Sequence, residues 1–413
     1  MVKQGYKQTE IGVIPEDWEV YTVRDLITLL TDYDANGSFS SVAENVKSYN
    51  YPEYAWYVRS TDLENKTDLS NVKYVDKPSY DFLKKTSLFG GELLFLKRGD
   101  IGNVYLFEMK TNRATLAPNL YLLKLNDISS SKYLYQYFIS ENGQKQLKSK
   151  NAGSTLGALY KDDVKAMLVP LPPLAEQEAI AAALSDADAW VESLEQLIAK
   201  KRLIKQGAMQ TLLTPKDDWE VKKLGEVASY RRGSFPQPYG LDKWYDDTNG
   251  MPFIQVFDVA KNRKLKIDTK RKVSELAQPM SVFVPKGTIV LTIQGSIGRI
   301  ALTQYDAYCD RTLLIFEKID SSLYKFYFLL AVEQIFEIEK EKAPGGTIKT
   351  ITKEALSDFK ITYPKSLSEQ ERIARILSDM DAELEALEQQ LAKARQIKQG
   401  MMQELLTGRT RLV

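Results

Sequence analysis

The chain has 413 residues, 44% of them hydrophobic and 27% charged, with a formal net charge of +1. That balance supplies apolar material for two or three soluble domains, and it excludes a chain drawn as a whole to polyanions. There is no histidine and only one cysteine, Cys309, which excludes Ser-His-Asp and Cys-His nucleophile activation, an internal disulfide framework and a cysteine zinc cluster.

The opening stretch, "MVKQGYKQTEIGVIPEDWEV", lacks the apolar segment of a signal peptide, and no later apolar run is long enough to span a membrane. A cytoplasmic protein with no membrane partner is therefore expected. Residues 1–170 read as a first α+β domain. Within it "GELLFLKRGDIGNVYLFE" (Gly91 to Glu108) is two apolar runs around a Gly-x-Ile-Gly centre, the pattern of a β-hairpin. A helix is expected over Lys132 to Lys148. Pro172 and Pro173 then mark the start of a long helix within 171–214. Its apolar residues Ile180, Leu184, Ala187, Val191, Leu194 and Ile198 alternate in steps of four and three, a heptad seam. From Glu176 to Leu212 such a helix rises about 55 Å at about 1.5 Å per residue.

Residues 215–364 form a second α+β domain. Its hairpin sequence is "GTIVLTIQGSIGRIALT" (Gly287 to Thr303), and a helix is expected over Ser322 to Lys340. Pro364 precedes a second long helix within 365–413, with a seam of Ile373, Leu377, Met380, Leu384, Leu387 and Leu391. The obvious partner for each seam is the other, antiparallel, because each helix follows its own domain. The alternative is that each helix docks on its own domain. Gly207 and Gly400 occupy matching places where either helix can bend.

The two halves repeat. "EQEAIAAALSD" from Glu176 and "EQERIARILSD" from Glu369 open two helices that align without a gap, 193 residues apart. "PEDWEV" at Pro15 recurs as "KDDWEV" at Lys216. At an offset of 196, Gly37 matches Gly233, Asp62 matches Asp258 and Gly99 matches Gly295. "GSTLGALYKDDV" at Gly153 resembles "GGTIKTITKEAL" at Gly345. The helices match far better than the domains. They therefore share one job, while the domains share a fold and differ in what they touch.

No phosphate-binding Gly-Lys-Ser/Thr loop, no dinucleotide fingerprint and no Asn/Asp-Pro-Pro-Tyr/Phe methyltransferase signature is present. What remains is local basicity with polar readers, suited to phosphates and base edges. In the first domain these are Arg59, Lys97, Arg98 and Asn103. In the second they are Arg231, Arg232, Gln255, Lys261, Arg263, Lys264, Gln294 and Arg299. Two unlike domains, each followed by a near-duplicate helix running from "PLPPLAEQEAI" or "YPKSLSEQERI" to "IKQGAMQTLLT" or "IKQGMMQELLT", resemble the specificity subunit of type I restriction–modification enzymes.

That resemblance implies two target recognition domains carried by an antiparallel coiled coil, each domain reading one half of a bipartite site in double-stranded DNA. It implies helices that dock two methyltransferase (modification) subunits, with restriction/translocase subunits joining through the complex. It implies a non-catalytic chain without a cofactor of its own; S-adenosylmethionine, ATP and Mg would sit on partner subunits. Two other classes stay open: a coiled-coil scaffold that binds proteins and no DNA, and an enzyme working through carboxylates, as in a metal-dependent nuclease.

Overall fold

Leu93–Leu96 and Ile289–Thr292 are unbroken apolar runs, and every one of their residues is buried. Strands buried on both faces belong in the middle of a sheet, and a computed structural model, which describes residues 4–149, 157–342 and 353–412, places them there. By contact the chain divides into two units. One comprises Met1–Glu195 with Gln390–Val413, and the other Gln196–Gln389. Each unit thus takes one globular domain and part of both long helices.

In the first unit, Leu93–Leu96 pairs antiparallel with Val104–Leu106 on one side and Leu120–Leu125 on the other, and Ile27–Asp32 completes the sheet. A second sheet is mixed. Ala55–Val58 lies parallel to Ala114–Leu116, with Lys73–Val75, Ser48–Tyr49 and Ser87–Leu88 antiparallel beyond them. Glu19–Thr22 pairs with Leu168–Leu171. The second unit repeats this plan. Ala228–Arg232, Leu313–Ile319, Ile289–Thr292 and Ile300–Leu302 form the antiparallel sheet. Met251–Ile254 lies parallel to Ala307–Cys309, flanked by Arg271–Val273 and Val282–Val284, and Glu220–Lys223 pairs with Lys360–Tyr363. The first unit adds the hairpin Tyr6–Thr9/Gly12–Pro15.

Both hairpins expected around the Gly-x-Ile-Gly centres form. Asp62 and Asp258 play one role: each accepts the backbone N–H three residues earlier, from Arg59 at 3.0 Å and Gln255 at 2.9 Å, closing the turn that follows the central parallel strand. The match of Gly37 with Gly233 does not hold. By strand register Asp32 faces Tyr121 and Arg232 faces Leu314, so Asp32 is the counterpart of Arg232. Gly233 follows its strand directly, while Gly37 comes after an added 3-10 turn, Tyr33–Asn36. The repeat starting at Gly153 and Gly345 begins outside the described residues.

The helix expected over Lys132–Lys148 is two, Ser131–Ile139 and Glu141–Ser149, broken at Ser140. The Ser140 hydroxyl donates to the Tyr137 carbonyl at 2.6 Å. The second helix turns back so closely that a Cβ on Gly143 would lie 2.3 Å from that carbonyl. The counterpart in the second unit is one helix, Lys325–Lys342.

The long helices run Leu174–Leu213 and Leu367–Leu405, each starting within a few residues of its proline. They pair antiparallel within each unit: Glu195–Arg395 (2.7 Å) and Asp188–Lys398 in the first, Arg202–Glu388 (2.6 Å) and Lys205–Asp381 in the second. Glu195–Arg395 and Arg202–Glu388 are exposed, and such pairs set register more than they add stability. The seam has two uses. Ile180 and Leu184 are fully buried in the first domain's core beside Trp18, Phe138, Leu405 and Leu406. Ile373 and Leu377 do the same in the second, beside Trp219, Phe328 and Leu213. Leu194 and Ile198 are buried farther along, and Val191, Leu384, Leu387 and Leu391 are half-buried. Each helix therefore docks on its own domain by its first turns and pairs beyond them. Among the described residues no helix is long and apolar enough to cross a membrane.

Candidate nucleic-acid interface

In the second unit the C-terminal ends of the two central parallel strands converge. Gln255 follows one of them, and Asp310 and Arg311 follow the other. The Gln255 amide donates to the Tyr239 hydroxyl at 2.7 Å, and the Arg311 guanidinium lies 5.3 Å from the Tyr239 ring centre. Burial, aided by the charge of Asp310, pushes Tyr239 up to about 12, so it stays a neutral phenol at physiological pH. An amide plane fixed by one hydrogen bond is a preorganised partner for an adenine edge, and an exposed arginine beside it suits guanine or phosphate.

The Gly-x-Ile-Gly hairpin brings Gln294 to the same edge. The Ile293 N–H donates to the Thr312 carbonyl at 3.0 Å, and a Cβ on Gly295 would sit 3.5 Å from Val256. Gln294 is exposed, whereas Ile297 is buried. Gly298 lies against Phe336, where a Cβ would come within 2.9 Å. The hairpin is thus held to its domain by the isoleucine and second glycine, leaving the apex to project. On the other side of Gln255, Phe257 is exposed, with Lys270 and Lys266 at 5.2 and 6.0 Å from its ring centre. Basic side chains around an exposed ring suit nucleic acid as well as they suit water.

Arg232 is exposed at the end of its strand, beside Gly233, which packs on the Cys309 and Asp310 carbonyls. Arg231 is exposed, 3.8 Å from Glu317. Arg299 is half-buried and directs its guanidinium to the Val259 carbonyl at 3.4 Å. Lys261 is exposed. Arg263 goes elsewhere. It is only 6% exposed and is spent on two carboxylates, Glu333 and Asp381 of the second long helix. Lys264, half-exposed, pairs with Glu385 of that helix at 2.5 Å. The dense basic stretch is therefore divided: Arg263 and Lys264 tie the domain to its helix, and the Arg263 guanidinium is occupied within the chain.

In the first unit, Arg59 stands where Gln255 stands in the second. Its guanidinium bonds Asp62 at 2.6 Å and the Asn71 carbonyl at 2.9 Å. Lys97 is mostly buried and bridges Asp32 (2.7 Å) and Asp34 (2.8 Å), while Lys161 reaches the far oxygen of Asp32 at 2.8 Å. Burial alone would raise Asp32, but the hydrogen bonds from Lys161 and Lys97 outweigh it and hold the carboxyl below its usual range. A depressed carboxylate stabilises the fold above its unfolded pKa, and that contribution is lost as pH falls through the folded value. Lys97 is thus mainly a structural cation. Arg98 is exposed at the hairpin, and Asn103 is half-buried beside Tyr105.

Tyr239, Phe257 and Arg311 were not singled out from the sequence. Arg311 follows a strand whose counterpart is followed by Pro118, so comparing the halves strand by strand would have marked it. Tyr239 and Phe257 carry no such local signal.

The family described as "Type I restriction modification DNA specificity domain" matches this chain twice, over residues 15–201 and 216–396. The chain is similar to the type I restriction enzyme MjaVIII specificity subunit of Methanocaldococcus jannaschii, 23% identical over 99% of this chain and 97% of the relative. It is also similar to the type I restriction enzyme EcoBI specificity subunit of Escherichia coli, 24% identical over 63% of this chain and 62% of the relative. In fold it resembles the crystal structure of the type I restriction–modification S subunit of M. genitalium, with a TM-score of 0.59 at 18% identity, covering 94% of this chain and 96% of that one.

Proposed function

Because the chain belongs to the type I restriction modification DNA specificity family, we propose that it reads a bipartite DNA target, one half-site per globular domain, and docks methyltransferase subunits through its long helices. It does no chemistry itself; methylation and cleavage belong to partner subunits. One observation carries the two-reader part. The same framework presents different chemistry at matched places in the two domains: Arg59 against Gln255, Arg98 against Gln294, Asn103 against Arg299 and Pro118 against Arg311. Arginine favours guanine and glutamine or asparagine favours adenine, so like folds here would select unlike half-sites.

Exchanging residues from about 20 to 160 for the matching domain of a relative should change one half of the methylated sequence and leave the other intact. Sequencing methylated adenines in cells expressing the whole system reads this directly. A change in both halves would refute the two-reader assignment. At finer scale, Gln255→Ala and Arg311→Ala should each cost about 1–3 kcal/mol on the correct target and relax one position of the second half-site. Affinities of the assembled complex for the target and its single-base variants measure this. Uniform weakening across all variants would make both residues backbone contacts.

A further inference from the structure

Asp62 and Asp258 close the same turn in the two units, and a loop leads from each to the next strand, Lys73–Val75 in the first and Arg271–Val273 in the second. The two loops treat their large apolar residues differently. In the first, Leu63, Leu69 and Val72 all pack against the domain's core. In the second, Val259 and Leu265 are buried in the core, but Ile267 is 93% exposed. Burying an isoleucine side chain is favourable, and this loop forgoes that gain.

The backbone around Ile267 is nonetheless fastened. The Lys266 N–H donates to the Asp258 carbonyl at 2.9 Å, and the Lys266 carbonyl accepts the Tyr305 hydroxyl at 2.7 Å. On the other side, the Lys270 N–H donates to the Asp258 carboxylate at 3.1 Å, and the Thr269 hydroxyl donates to the Arg271 carbonyl at 2.7 Å. Asp258 itself is fully buried. Both arms of the loop are thus tied to one buried residue, and only the tip, Ile267 and Asp268, projects. Lys266 and Lys270 are exposed beside that tip, and both lie about the exposed Phe257 ring. Asp268 is the one acid among them. Phe257 stands two residues after Gln255, so the loop continues the edge that carries Gln255 and Arg311.

We propose that Ile267 is an apolar wedge, which the second domain presses between two base pairs at its half-site, with Phe257 against the opened step and Lys266 and Lys270 on the phosphates beside it. The proposal rests on the reading that this domain binds a half-site, and it adds how. The two lysines and the continuity with the polar readers select duplex DNA as the occupant. Apolar side chains inserted between base steps unstack them, and pyrimidine–purine steps yield most readily. The second domain therefore selects sequence partly by the ease with which one step opens, whereas the matching loop of the first domain keeps its apolar residues inside.

The test uses the full chain assembled with its methyltransferase subunits, and the duplex that the complex methylates. 2-Aminopurine is placed in turn at each purine in and around the second half-site, and its fluorescence rises where a base unstacks. The unaltered complex should give a signal at one step besides that of the adenine drawn out for methylation. Ile267→Ala should abolish the signal at that step, keep the one at the methylated adenine, and weaken target binding by about ten-fold or more. The free chain's melting temperature should not change. Ile267→Lys should weaken binding too, although it adds a positive charge, and Ile267→Leu should restore both binding and unstacking. Tighter binding by Ile267→Lys would make the tip a phosphate contact and overturn the proposal. So would unstacking that survives in Ile267→Ala. Loss of affinity when thymine is replaced by uracil, with no step unstacked, would also overturn it, by making Ile267 a contact to a thymine methyl group. Loss of methyltransferase binding by Ile267→Ala at native DNA affinity would make the tip a protein contact, with the same result. If the unaltered complex binds no duplex, the parent reading itself fails, an outcome distinct from all of these.

Discussion

Arg263→Ala should destabilise the second unit by about 3 kcal/mol or more, while Lys261→Ala, two residues away, should leave stability unchanged. Arg263 is buried, and it is the shared counter-ion of Glu333 on the domain's helix and Asp381 on the second long helix. Removing Arg263 leaves Glu333 without its counter-ion in a mostly buried place, which costs more than the intact pair contributes, while Asp381 keeps Lys205. Arg263→Met with Glu333→Gln should therefore recover part of the loss. Lys261 is exposed, so its loss should act on DNA: the salt slope of log K shrinks by about 0.9 if one phosphate contact goes, with sequence preference unchanged. Urea titration followed by tryptophan fluorescence, from Trp219 and Trp244 in that unit, separates the two effects. If Arg263→Ala keeps the native midpoint and flattens the salt dependence instead, Arg263 is a phosphate contact after all.

Arg411→Ala should weaken the first unit by a similar amount, about 3 kcal/mol, and leave the second unit untouched. Glu176, at the start of the first long helix, has a fully buried side chain. Its carboxylate accepts Trp18 Nε1 at 3.1 Å and two bonds from Arg411, at 2.6 and 2.8 Å. Arg411 also holds Asp17 through a second pair of bonds, at 2.9 and 2.7 Å. The segment after the second long helix is seated beside it. The Tyr6 hydroxyl donates to the Gly408 carbonyl at 3.0 Å, and Gly408 has φ +70 with Pro15 where a Cβ would stand. Without the guanidinium, Glu176 keeps a buried charge and one indole donor.

The matched carboxylate in the second unit, Glu369, is partly exposed and already paired with Arg372 at 2.8 Å. Its other cation is Lys216 at 3.8 Å, and among the described residues no sequence-distant arginine pairs with it. Reading of the first half-site should weaken while the second is retained. The double variant Glu176→Gln/Arg411→Ala should be more stable than Arg411→Ala alone, which a double-mutant cycle measures. Equal stability of the two would show that the carboxylate is solvated once the arginine is gone.

Repetition and periodicity were legible in the residues themselves. A heptad seam, a proline before each long helix, a Gly-x-Ile-Gly hairpin and a 193-residue spacing between near-identical helices are local or self-referential signals, and the elements they imply form where expected. The roles of charged residues were not legible. Arg263 belongs to a run of lysines and arginines that reads as one polyanion surface, but its partners lie 70 and 118 residues away in sequence. Lys97 likewise meets Asp32 only because Leu93–Leu96 and Ile27–Asp32 flank Leu120–Leu125 in one sheet. The break at Ser140 has the same origin: helical periodicity runs straight through it, and only the close return of the next helix on Tyr137 and Phe138 demands Gly143 and the turn before it. Propensity and period act over a few residues, so a sequence states them. A charge is used by whatever the fold brings within a few ångströms of it, and the fold alone decided that Arg263 ties a domain to its helix while Gln255, Tyr239 and Arg311 share an exposed edge.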